Sequence, residues 1–149
     1  MKITYKGDYA LKAVMDLGSH TGEPQSADQI ARRQDIPFKF LEQIMLLLKK
    51  GGFVKAQRGK KGGYLLTRSP AKITMGEVLR YIEGPVEPIA CVRKGGERTC
   101  SYASRCSLKD VFDDIGKYTA KIVDGITFED LINKQAKKMK MRGPDMYYI

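Results

Sequence analysis

The stretch from Ser26 to Thr67 constrains the fold more than any other, because helix and strand signals change there in a fixed order. Ser26 suits a helix N-cap and Gln29 follows three residues on, the pattern of a capping box; Ile30 and Ala31 then turn inward on a helix ending near Gln34. Asp35-Ile36-Pro37 breaks that helix. Beyond it Leu41, Ile44, Met45 and Leu48 recur at helical spacing until Gly51-Gly52. The face left outside this third helix holds Phe38, Lys39, Glu42, Gln43 and Leu46. Two strand-like runs follow, Phe53 to Ala56 and Gly63 to Thr67, joined by a tip of glycine and cations, Gln57-Arg58-Gly59-Lys60-Lys61-Gly62. A first helix from about Gly7 to His20, with Ala10, Leu11, Val14 and Leu17 on one side, precedes them all.

Helix, short helix, helix, basic hairpin is the order of a winged helix-turn-helix. The predicted fold class is mainly α with a small β-hairpin. A third helix in this order fits a major groove about 12 Å wide, presenting Lys39, Glu42 and Gln43 to base edges. The hairpin tip, with Arg58, Lys60 and Lys61, can lie along phosphates or enter the minor groove. Charge supports a polyanion partner. Residues 43–76 hold no acid and eight basic side chains, within a chain of net charge +10. On charge alone a solvated basic face, as in a protein-interaction module, remains open.

Past the wing, Thr74 caps a helix through Val78, Leu79 and Ile82 that ends at Gly84-Pro85. A longer helix spans Ser107 to about Asp124, with Leu108, Val111, Phe112, Ile115, Tyr118, Ile122 and Val123 at 3–4 spacing. The winged module is complete before this helix begins, so pairing with a second copy is the economical use of its apolar face, and a homodimer suits duplex half-sites about 34 Å apart. Thr127 to Ile132 reads as a short capped helix. The resulting division is a winged domain over 1–84, a cysteine loop over 85–106, a dimerisation helix and short helix over 107–133, and a loose basic tail over 134–149. No run of about 18 apolar residues is present, and the N-terminus does not read as a secretory leader, so a cytoplasmic protein with no membrane partner is expected. No nucleophile–base pair or phosphate loop is visible, which argues against an enzyme.

Cys91, Cys100 and Cys106 give the spacing C-x8-C-x5-C, with Gly95 and Gly96 to fold the first interval and Arg93, Lys94, Arg98 and Arg105 to favour thiolates. Soft thiolates in a flexible loop suit an iron–sulfur cluster. Zinc and a metal-free thiol switch remain alternatives on the residues alone.

Gly7-Asp8-Tyr9-Ala10, Phe40-Leu41-Glu42-Gln43-Ile44, Arg58-Gly59-Lys60-Lys61-Gly62-Gly63-Tyr64-Leu65-Leu66, Ile73-Thr74-Met75-Gly76-Glu77-Val78 and the three cysteines together resemble the Rrf family of bacterial transcription regulators, over roughly residues 1–133. The resemblance implies a dimer joined through the long helix, reading a palindromic operator in double-stranded DNA. It places Lys39, Glu42 and Gln43 on the recognition helix and Arg58 on the wing. It also implies a 2Fe–2S or 4Fe–4S cluster on the cysteines that senses iron, redox state or nitric oxide. The first cysteine interval departs from the family's best-known members, which have five residues where this chain has eight. Some members use a histidine three residues past the last cysteine, where this chain has Lys109. Others supply an aspartate near the N-terminus from the partner subunit, and Asp8 occupies that position.

Overall fold

The structure, a computed structural model, describes residues 3–93 and 100–142. Its first helix, α1, runs Tyr5–Ser19. It starts two residues before the expected Gly7 because the backbone N–H and hydroxyl of Thr4 both donate to Glu83 Oε1, at 3.0 and 2.6 Å. Gly7 sits beneath that carboxylate, where a Cβ would collide with it.

Helix α2 (Ala27–Gln34) carries the expected capping box, with Gln29 N–H on the Ser26 hydroxyl and Ser26 N–H on the Gln29 side chain, at 3.2 and 2.9 Å. Asp35 adopts φ 51° and turns the chain into α3 (Phe38–Lys50), where Leu41, Ile44, Met45 and Leu48 are buried as their spacing requires. Strands β1 (Val54–Gln57) and β2 (Gly63–Leu66) pair antiparallel, Val54 opposite Leu66 and Gln57 opposite Gly63. Gln25 adds a third, single-residue rung by exchanging backbone bonds with Tyr64, at 3.0 and 2.8 Å. A Cβ on Gly63 would lie 2.5 Å from the Gln25 carbonyl oxygen, so the rung requires glycine there.

After the hairpin come α4 (Met75–Glu83), α5 (Ser107–Asp124) and α6 (Phe128–Arg142). The fully buried Phe128 anchors α6 in the main core, among Val14, Leu17, Ile30, Leu41 and Met45. A smaller core of Leu79, Val86 and Val123 joins α4 to α5. Here the sequence reading needs correction: the helix expected to stop near Ile132 continues to Arg142, so residues 134–142 are helical rather than loose tail. Lysine, glutamine, alanine, methionine and arginine are all strong helix formers, and cations at a helix C-terminus suit its dipole. Residues 143–149, with Gly143-Pro144 and Met146 to Ile149, lie outside the described residues.

Two helix starts carry an acid-sensitive cap. Burial pushes the Glu77 carboxyl up, but hydrogen bonds from Thr74 and Arg68 outweigh it and hold the group below its ordinary 4.5. The Thr127 hydroxyl and N–H likewise hold Asp130 below 3.8. A depressed folded-state pKa stabilises the fold above the unfolded value, and that contribution disappears as pH falls through the folded one. Melting temperature should therefore fall as the buffer is taken from pH 5 downward. The slope should flatten in Glu77→Gln, which lacks the titrating group. Equal slopes in both proteins would remove Glu77 from the account.

Candidate nucleic-acid interface and cysteine loop

The 3.6-residue period that buries Leu41, Ile44, Met45 and Leu48 turns Lys39, Glu42 and Gln43 outward, and all three are exposed. Arg58, Lys60 and Lys61 stand exposed at the hairpin tip, which the Gly62 N–H closes onto the Gly59 carbonyl at 2.9 Å. All six predicted contact residues are thus on the surface, three on α3 and three on the wing.

A buried polar network fixes the elements behind these surfaces. Asp16 on α1, 3% exposed, accepts two bonds from Arg33 on α2, at 2.9 and 2.6 Å, and one from Gln34 at 3.0 Å. Arg33 also donates to Gln25 Oε1 at 2.7 Å. Since the Gln25 backbone is the rung on β2, the network runs from α1 through α2 to the wing. The hydrogen bond and charge of Asp16 hold the Arg33 pKa above its ordinary value despite some burial. The sequence reading missed these residues. An aspartate and an arginine 17 positions apart carry no local signal that they meet.

The cysteine loop leaves α4 at Gly84. Cys91 lies half-buried in a short 3-10 turn, Ala90–Val92; Cys100 is exposed; Cys106 is half-buried just ahead of α5. All three thiols are free. Among the described residues no group of three or more His, Cys, Asp or Glu side chains is arranged to hold a metal ion, so the loop carries the donors without gathering them. Lys94, Gly95, Gly96 and Arg98 lie outside the described residues. Three free, soft sulfur donors on one loop tethered between two helices fit an iron–sulfur cluster chemically, provided the loop closes around it.

Asp8 lies in the first turn of α1, nearly half exposed, and pairs with Lys12 at 2.8 Å. The Thr4–Glu83 clamp holds that turn against the end of α4, and a groove of about 260 Å³ lined by Ile3, Glu83, Val86, Glu87 and Arg93 runs from it to the start of the cysteine loop. His20 is at the far end of α1, with Nδ1 2.8 Å from the Asp16 carbonyl oxygen.

Helix α5 turns Gly116 and Val123 inward, whereas Leu108, Val111, Ile115, Tyr118 and Ile122 are between 46% and 70% exposed. Arg80 donates twice to Asp124, at 2.5 and 2.9 Å, tying the end of α5 to α4. No helix among the described residues is long and apolar enough to cross a membrane.

The model of the Rrf2 family, described as an iron-dependent transcriptional regulator, matches residues 3–134. The chain is similar to the HTH-type transcriptional regulator IscR of Klebsiella pneumoniae, 36% identical over 137 residues, covering 91% of this chain and 82% of that one. Among solved structures it is similar to IscR of T. potens, with a TM-score of 0.76 at 33% identity over 99% of this chain and 97% of the other. It is also similar to CymR, the global cysteine regulator of B. subtilis, with a TM-score of 0.76 at 31% identity over 90% and 98%.

Proposed function

The chain belongs to the Rrf2 family of transcriptional regulators, and on that premise we propose that it binds a palindromic operator in double-stranded DNA as a homodimer and is switched by an iron–sulfur cluster. It is a regulator and not an enzyme. The observation that carries DNA binding is the pairing of an outward polar row on α3 with a cationic, uncovered wing tip.

Lys39, Glu42 and Gln43 have the donors and acceptors that base edges in the major groove require, and Arg58, Lys60 and Lys61 have the charge that phosphates or a narrow minor groove attract. The two kinds of contact separate experimentally. Gln43→Ala should cost about 1–3 kcal/mol on the operator, chiefly at one base pair per half-site, and leave the salt dependence unchanged. The Lys60→Ala, Lys61→Ala double variant should weaken all sequences alike and flatten the plot of log K against log salt by about one unit per lost phosphate contact. Titrations at several salt concentrations check both. An unchanged slope in the double variant would take the wing off the phosphates.

The homodimer reading rests on α5. Its exposed residues at 108, 111, 115, 118 and 122 alternate steps of three and four, the spacing of a helix–helix seam. Two such helices packed about a two-fold axis bury that stripe and present two winged modules to a palindrome.

Cys91, Cys100 and Cys106 would hold the cluster, with the partner subunit's Asp8 as candidate fourth ligand. The cluster would supply the sensitivity to iron, redox state or nitric oxide. The chain's own part is mechanical. The loop joins α4 to α5, so drawing the three thiols together shifts α5 against the winged module and changes how the two recognition helices are spaced. Exposed Cys100 favours one second reading, a thiol switch without metal.

An absorption spectrum with iron and sulfide analysis of protein purified without oxygen tests the cluster. Visible charge-transfer bands are expected in the wild type and absent in Cys100→Ala. A colourless, iron-free protein that still selects operator DNA would keep the regulator and assign the cysteines to thiol or zinc chemistry.

A further inference from the structure

The outward face of α3 carries an apolar side chain midway along its length. Leu46 is 63% exposed, whereas Leu41 and Leu48 of the same helix are buried. Positions 39, 43, 46 and 50 fall at i, i+4, i+7 and i+11, so Lys39, Gln43, Leu46 and Lys50 form a single line along the helix, opposite the buried stripe. Leu46 therefore lies in the middle of the surface that meets DNA in the proposed function, on which this inference rests. Phe38 and Phe40, at the start of α3, are also exposed, but neither falls on this line, and Phe40 lies against Tyr9, with ring centroids 6.4 Å apart.

A leucine has no donor or acceptor, so it can read neither the nitrogens and oxygens of a base edge nor a phosphate. In the major groove the one apolar group of a standard base is the C5-methyl of thymine. Lys39, Lys49 and Lys50 around it make the surface attractive to a polyanion and poorly suited to an apolar protein partner. We propose that Leu46 is a specificity-determining residue that packs on the methyl group of one thymine in each half-site.

The test uses the full-length protein and a duplex that the wild type itself selects from a randomised pool. Each thymine is replaced singly by deoxyuridine, which removes only the methyl. At one thymine per half-site the wild type should bind about fourfold more weakly, and about fifteenfold when both half-sites are replaced, the value of one buried methyl group each. Leu46→Ala should bind the methylated and unmethylated duplexes equally. Its substitution is at an exposed helical position where alanine is favourable, so its melting temperature should match the wild type. The proposal is overturned if no replacement costs the wild type more than about twofold, or if Leu46→Ala shows the same loss, which would give the methyl to another side chain. Failure to select any duplex from the pool would instead overturn DNA binding itself, and the role of Leu46 with it.

Discussion

Ile115→Glu should leave the chain folded and monomeric, with operator affinity reduced by about a hundredfold or more. Ile115 is at the centre of the exposed row on α5 and 46% exposed in the single chain, so a glutamate there disturbs no monomer core. Across a two-fold axis the same change sets two carboxylates into an apolar seam, where an unpaired charge is strongly disfavoured. Each leucine- or isoleucine-sized side chain returned to water forfeits about 1.5–3 kcal/mol. Once the halves separate, the second winged module binds from solution rather than at the high effective concentration a linked partner enjoys, a difference of about 10²–10⁴ in avidity. Sedimentation would give the mass and gel shifts the affinity. A dimer of wild-type affinity would place the subunit interface elsewhere.

Asp16→Ala should be the most damaging single change to the fold away from its apolar core. The substitution removes the acceptor for two Arg33 bonds and one Gln34 bond, and leaves the guanidinium with Gln25 alone. Breaking a fully buried pair costs about 3–5 kcal/mol; Arg33 is a third exposed and water can take up part of the loss, which lowers the expectation to about 2–3 kcal/mol. For a chain of this size that is a fall of roughly 5–10 °C in melting temperature. Asp16→Asn, which keeps the shape and one acceptor, should lie between. Denaturant unfolding measures both; a loss under about 1 kcal/mol in Asp16→Ala would show the network to be ornamental to stability.

The elements readable from the sequence were those whose cause is local. Ser26 with Gln29 announces a capping box and Thr74 a helix cap; the structure has both, with Glu77 completing a second box at Thr74. The stripe of Leu41, Ile44, Met45 and Leu48 defines which side of α3 remains outside, and so which residues are candidate DNA contacts. What stayed hidden depends on distant partners. The start of α1 is set by Glu83, nearly 80 residues away from Thr4. The link from helices to wing passes through Asp16, Arg33 and Gln25, none remarkable in its own neighbourhood. Helix α6 runs past Ile132 because the lysines, glutamine, alanine and methionines that follow favour helix, a propensity that the charge of the segment masks. The cysteines were legible as a donor set, whereas their convergence requires a loop conformation that spacing does not encode.

The hydrogen bonds from Met75 N–H to the Ile126 carbonyl and from Phe128 N–H to the Ile73 carbonyl place the two ends of a long excursion side by side. The chain passes beside Thr74 on its way out to the cysteine loop and α5 and returns at Thr127, so the two form a cartridge whose ends meet at one point and whose flank rests on α4 through the Arg80–Asp124 pair and Val123. Extra slack in the loop leaves those anchor points where they are; only a pull on the loop, such as gathering the three thiols, would move α5 against the DNA reader. The entropy of three added residues in a loop is only a few tenths of a kcal/mol, roughly logarithmic in length. An eight-residue first cysteine interval, where the family's best-known members have five, is therefore a change the architecture absorbs. Sensor chemistry and sequence recognition can accordingly diversify at separate rates in descendants of one chain, each under its own selection.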